Sequence, residues 1–302
     1  MGEITGKSWA AVVVLALIWG GSFMATKIAL TGTGPFFLAS VRLTLAAVFL
    51  VSWAMLRGPG LPPLRGKGKV IWGFALALAC LSNFLPFTLL SWAQQFVASG
   101  FAGVTMAMVP LFILPLAHLL VPGEAMNLRR FIGFVLGAVG VIVLIGPEAM
   151  ATTGKDMENT ARLACVLVGL FYALGAICTR LCPEVPGLSL AAAVMLLASL
   201  ISMPVALSIE GPPADTNGGA LLAMLYLGLL PTGIAQVILV YITRTAGPIF
   251  FGLVQYQVPV WSIILGVVFL AEPLPPTLLL GLALILCGVA LSQYGALKRL
   301  FR

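Results

Sequence analysis

Trp19-Gly-Gly-Ser-Phe-Met-Ala-Thr26-Lys27 returns 153 residues later as Tyr172-Ala-Leu-Gly-Ala-Ile-Cys-Thr179-Arg180. Outward from this pair, Gly103-x6-Pro110 recurs as Gly252-x6-Pro259 at an offset of 149, and Gly133-x6-Gly140 as Gly281-x6-Gly288 at an offset of 148. An offset that drifts by so little over three motifs marks an internal repeat, which has to be read before any local pattern. In a chain that lives in lipid, such a duplication is the usual build of a secondary transporter.

Composition places the chain in lipid. Of 302 residues, 61% are hydrophobic and 8% charged, with a mean hydropathy of +1.13. A soluble globule of this size does not bury that much apolar surface. The +7 net charge does not point to nucleic acid, because the basic residues sit in short loops between apolar runs. The five cysteines, Cys80, Cys165, Cys178, Cys182 and Cys287, all fall inside apolar runs. An odd, membrane-embedded set argues against a disulfide framework, and the single histidine excludes most zinc arrangements. Cys178 and Cys182 stand one helical turn apart, a spacing read as core packing. The start of the chain, with no small-x-small cleavage signal after its apolar run, reads as a retained first span.

Apolar runs of about 20 residues, broken by Pro, Gly and charge, number ten. The expected spans are 8–30, 35–56, 68–93, 97–120 and 128–146, then 160–182, 187–207, 217–242, 248–269 and 276–297. A polar stretch, 146–159, joins the halves, giving repeats at 8–147 and 160–297. With the N-terminus inside, twelve basic residues (Lys7, Arg57, Arg65, Lys67, Lys69, Arg129, Arg130, Arg180, Arg244, Lys298, Arg299 and Arg302) fall inside and three (Lys27, Lys155 and Arg162) outside. That asymmetry places both termini in the cytoplasm. Five spans per half is an odd number, so the second half enters from the opposite side. The expected fold is an all-α integral membrane protein of ten transmembrane helices, arranged as two inverted five-helix repeats.

Trp19-Gly-Gly-Ser-Phe with Lys27, Pro35 and Arg42 resembles the opening of the drug/metabolite transporter superfamily, specifically its ten-helix EamA-type exporters. So do Val109-Pro110, Glu124 and Gly133-x6-Gly140, and their recurrence as Val258-Pro259, Glu272 and Gly281-x6-Gly288. The likeness runs over essentially the whole chain, and the members it most resembles are bacterial exporters of aromatic amino acids. One departure is Tyr172-Ala-Leu-Gly, which stands where the first half has Trp-Gly-Gly-Ser. The resemblance implies a multi-pass protein of the bacterial inner membrane that acts as a monomer, without a cofactor and without enzymatic activity.

Transport needs polar groups at mid-depth, where lipid tolerates them only along a cavity. Helical spacing puts Trp19, Ser22 and Thr26 on one stripe, and Tyr172, Gly175 and Thr179 on the equivalent one. Both are read as cavity lining, since belt aromatics lie at span ends. Ser82-Asn83 with Pro86 interrupts the third span near its centre, and Pro231-Thr232 interrupts the eighth at the matching place. Paired breaks in two halves are a sequence pointer to a transporter's binding site. On the ninth span Gln255, Pro259, Ser262 and Gly266 share a stripe, whereas Gln257 points about 200° away from Gln255; Gln255 is therefore read as cavity-facing, and its repeat-mate Met106 as an adaptable apolar wall. Pro86, Pro110, Pro231 and Pro259 are the candidate hinges. Arg42, well inside the second span, is expected to snorkel outward or to satisfy carbonyls at a helix end, and His118 to be interfacial.

All nine acids (Glu3, Glu124, Glu148, Asp156, Glu158, Glu184, Glu210, Asp215 and Glu272) fall in termini, loops or span ends. A proton-coupled exporter of cationic drugs wants a mid-depth carboxylate, so flux here is expected to follow the substrate gradient. The expected function is export of small solutes of no net charge, amino acids with aromatic or large apolar side chains foremost. Purines or other drug-like metabolites are the alternative, and a membrane receptor or assembly subunit the reading from another class.

Overall fold

The computed structural model describes residues 6–120, 126–145, 156–213, 215–245 and 248–294. They form ten helical spans. Spans 1 and 2 are Gly6–Ala29 and Pro35–Arg57. Span 3 runs through Lys67–Ala79, a π-helical turn at Cys80–Phe84, and Leu85–Ala93. Span 4 runs through Ser99–Thr105, a 3₁₀ turn at Met106–Met108, and Val109–Leu120. Span 5 is Leu128–Ile145, span 6 Asp156–Leu181 and span 7 Gly187–Ile209. Span 8 runs through Gly218–Leu227, a π-helical turn at Gly228–Ile234, and Ala235–Thr245. Spans 9 and 10 are Pro248–Leu270 and Pro276–Ser292. Ends agree with the expected ones within a few residues, apart from the start of span 6 and the end of span 10; residues 295–297 lie outside the described residues. Eight of the ten are long and apolar enough to cross a bilayer by length and composition. Spans 5 and 10, with 18 and 17 residues, reach about 26 Å at 1.5 Å per residue, just under the thickness of a hydrocarbon core.

The packing pairs spans as a two-fold axis in the membrane plane requires. Span 2 lies on its repeat-mate span 7, span 4 on span 9, and span 5 on span 10. The remaining contacts come as mates: span 1 with span 9 and span 6 with span 4, span 1 with span 8 and span 6 with span 3. The direction is fixed by the glycine motifs. A Cβ built at Gly133 would fall 2.5 Å from the Gly288 carbonyl, and one at Gly281 would fall 3.1 Å from the Gly140 carbonyl. Each motif's first glycine therefore meets the other motif's last, so spans 5 and 10 run antiparallel and the halves are inverted. Only hydrogen at these positions lets the two backbones approach so closely, the device that lipid favours when no hydrophobic force separates helix from tail.

Polarity is arranged inside out. Ser40, Ser99, Thr105 and Ser262 are fully buried, whereas Val48, Leu200, Leu222, Val268 and Phe269 are more than 60% exposed. In lipid that exposure carries no penalty, so each span presents its apolar side chains outward and its small residues inward.

Candidate functional site

The two mid-span breaks are built alike. Proline has no N–H, so Pro231 leaves the carbonyl of Leu227 without its helical donor, and the chain relaxes into a π turn. The Thr232 hydroxyl donates to that carbonyl at 2.8 Å. In span 3 the Asn83 amide donates to the carbonyl of Leu78 at 3.1 Å, five residues back in both cases. The side chains at the breaks therefore heal the backbone first. Asn83 is buried, and Pro86 opens the helical segment directly after its π turn.

Span 1 is stapled to span 8 at this level. The Trp19 indole donates to the carbonyl of Pro231 at 3.0 Å, and the Tyr226 hydroxyl to the carbonyl of Ile18 at 2.9 Å. The two glycines after Trp19 create the room: a Cβ at Gly20 would sit 2.5 Å from Trp261 Cβ, and one at Gly21 2.9 Å from the Tyr226 hydroxyl. The Trp19 ring stands edge-on to Phe251 of span 9, 6.0 Å between centroids. Ser22 and Thr26 return their hydroxyl hydrogens to the carbonyls of Trp19 and Ser22, at 2.6 and 2.8 Å, so both act on their own helix.

Arg42 does not snorkel, nor does it cap a helix end. Its Nε donates to the Thr232 hydroxyl at 2.7 Å, and its guanidinium carbon lies 3.8 Å from the centroid of the Phe87 ring. Tyr172 and Tyr226 are within electrostatic reach of it. Thr232 lies midway along span 8, so the guanidinium is drawn inward to the depth of the breaks. The reason is local: lipid offers it nothing, whereas the π turn offers an oxygen and Phe87 a ring face.

Gln255 lies apart from this group. With Ala107, Pro110, Gly252, Tyr256 and Gln293 it lines a cavity of about 50 Å³ between spans 4, 9 and 10. That is room for one or two waters. Gln257 turns away, its amide directed to the carbonyl of Leu253 on its own helix at 3.4 Å. Met106 sits in the 3₁₀ turn of span 4, buried in the largest apolar core. Pro110 begins the helix after that turn and borders the cavity, but its mate Pro259 lies buried in an uninterrupted helix.

The two ends of the bundle differ. At the end opposite residues 6 and 292, Lys27 donates to the carbonyls of Gln94 and Val97 at 2.5 and 2.9 Å. The Glu272 carboxylate accepts from the Ser99 N–H (2.7 Å), the Ser99 hydroxyl (2.8 Å) and the Gly100 N–H (3.1 Å). The 94–100 turn is thus held from both sides, with an anion on a helix N-terminus. In the same half, a Cβ at Gly103 would collide with the Ser262 side chain, whereas its mate Gly252, towards the other end, has nothing within 4 Å. Two positions equivalent in sequence are packed at one end and open at the other.

The structure therefore brings Trp19 to the break of span 8 and Tyr172 into reach of Arg42, with Asn83 one turn before the Phe87 that covers it. Gln255 belongs to a second space. Arg42 joins the group at the breaks unexpectedly, and its isolation as the one charge deep in a span is the signal for it in the sequence. Tyr226 and Phe87 carried no signal at all in an already aromatic chain.

With that geometry in place, comparison with known proteins decides the family. The model of the EamA-like transporter family matches twice, at residues 7–146 and 159–294. The chain belongs to the EamA-like transporter family. It is a multi-pass membrane transporter and not an enzyme. Among relatives of this EamA-like chain, the uncharacterized inner membrane transporter YedA of Escherichia coli K12 is 28% identical over 291 residues, covering 95% of this chain and 90% of that protein. A probable terminal-alkyne amino-acid exporter of Streptantibioticus cattleyicolor is 27% identical over 296 residues, covering 97% and 95%. A solved crystal structure shares the fold with a TM-score of 0.67 at 23% identity, covering 96% of this chain and 98% of that one.

Proposed function

We propose that this protein is a monomeric secondary transporter of the bacterial inner membrane, exporting small solutes of no net charge by alternating access. Amino acids with aromatic or large apolar side chains are its foremost substrates. One observation carries this reading: two matched π breaks, that of span 8 against spans 1 and 2 and that of span 3 against spans 2 and 6, lie at mid-depth near Trp19, Phe87, Tyr172 and Tyr226. Irregular backbone at that depth is tolerated where it lines a path, and aromatic faces suit a large apolar side chain. The exporter of amino acids among its relatives supports the same substrate class.

The inverted halves supply two equivalent arrangements of one sequence, and the unequal packing of Gly103 and Gly252 supports a state closed at the Lys27–Glu272 end. The excess of basic residues on the other face assigns that face to the cytoplasm. Thr31 and Lys69, both exposed near opposite ends, provide the check. A cysteine at Thr31 is expected to react with an impermeant reagent from outside the cell, and one at Lys69 only after permeabilisation. Labelling of both from one side would overturn the topology.

Transport itself is tested in liposomes loaded with labelled phenylalanine, tryptophan, threonine, alanine and adenine. Aromatic contact beyond simple burial is worth roughly 0.5–1.5 kcal/mol, about two- to tenfold in affinity. Tyr172→Ala is therefore expected to weaken phenylalanine and tryptophan efflux more than threonine or alanine efflux, measured per folded molecule. Equal loss for every solute would make Tyr172 a packing residue, and efflux of adenine alone would move the substrate class to purines.

A further inference from the structure

Among the described residues, Arg42 has a surplus of donors and no counter-charge. Its Nε is spent on Thr232. The polarity of that bond is fixed, because the Thr232 hydroxyl gives its own hydrogen to Leu227 and can only accept. One face of the guanidinium is covered by Phe87. Neither terminal nitrogen has an acceptor among the described residues, and neither is fully buried. The acids that follow spans 7 and 9 are committed to the starts of spans 2 and 4: Glu210 accepts from the N–H groups of Phe36 and Phe37 at 3.1 and 2.8 Å, and Glu272 is engaged at Ser99 and Gly100.

A guanidinium at mid-membrane is tolerated when it faces a bundle interior and finds an anion. Fixed by Nε and stacked on a ring, Arg42 presents its outer edge as a planar fork, the shape that takes both oxygens of a carboxylate. We infer that Arg42 is the anchor for the carboxylate of the transported solute, so that the site requires an organic carboxylate. This rests on the proposed transport reading and widens its solutes from zwitterions to carboxylates with or without an amine. No acid stands at this depth to hold an ammonium, so the amino group is dispensable. Aryl carboxylates without an amine bind alongside amino acids, whereas the corresponding amides and amines do not.

The test uses the wild-type protein in detergent and reads ligand-induced thermal stabilisation, followed by competition in liposomes. The probes are phenylalanine, 3-phenylpropionate, phenylalaninamide and phenethylamine, which share a ring and differ in charge. The two carboxylates are expected to bind within about tenfold of each other. The amide and the amine are expected to bind about a hundredfold more weakly, since two charge-assisted hydrogen bonds are lost. Arg42→Lys keeps the charge without the fork and is expected to fall between wild type and Arg42→Gln in its preference for acid over amide. Binding of 3-phenylpropionate but not of phenylalanine would overturn the amino-acid reading and leave the anchor standing. Equal binding of phenylalanine and phenylalaninamide to the wild-type protein, no binding of any carboxylate, or an undiminished acid preference in folded Arg42→Gln, would overturn the anchor.

Discussion

Replacing Gly288 by leucine is expected to leave almost no folded protein. A Cβ there would fall 2.5 Å from both the Gly133 carbonyl and the Gly137 N–H nitrogen. These are backbone atoms, which cannot rotate away as a side chain can, so spans 5 and 10 must separate. Overfilling a packed interior costs typically about 1–3 kcal/mol and more where nothing can yield. The loss falls on one of the contacts that join the two repeats across the pseudo-two-fold axis. The measurement is the monodisperse yield and thermal midpoint in detergent, with Gly252→Ala as the control. Gly252 has open space where a Cβ would go, so its alanine variant is expected to match or exceed wild type, by up to about 1 kcal/mol from helix propensity. A Gly288→Leu protein with the wild-type midpoint would mean that these spans do not meet.

Glu272→Ala is expected to unlock the end of the bundle opposite the termini. Its carboxylate satisfies two N–H groups of span 4 and the Ser99 hydroxyl. Hydrogen bonds to a charged partner contribute about 1.5–3 kcal/mol each. If only the closed arrangement makes them, losing about 2 kcal/mol shifts the ratio of closed to open molecules roughly thirtyfold. A single cysteine at Thr105, fully buried in wild type, reads the change in a cysteine-free background. Its rate of modification is expected to rise at least about tenfold with Glu272→Ala. Lys27→Met, which frees the carbonyls of Gln94 and Val97, is expected to act in the same direction. An unchanged rate in both variants would reduce the clasp to a helix cap with no part in opening.

Much of this was legible along the chain. Lipid demands about 20 apolar residues per crossing, so each span announced itself, and the paired breaks at Asn83 and Thr232 were visible because proline cannot complete a helical ladder. The roles at those breaks were not. Asn83 and Thr232 carry the right chemistry for a ligand, but a carbonyl five residues back in the same helix is closer, and it takes a hydrogen from each. Ser22 and Thr26 met the same fate.

Length, span count, duplication and the inversion of the halves were determined by the sequence alone, because the bilayer reduces them to counting apolar residues and charges. Only the tertiary structure decided where Arg42 goes. Its partner Thr232 lies 190 residues away, and no periodicity relates side chains on spans 2 and 8. Only the tertiary structure, too, distinguished Gly103 from Gly252, which stand in the same motif yet are packed at one and open at the other. A sequence repeated in two halves encodes both arrangements equally, and a packed conformation must choose one.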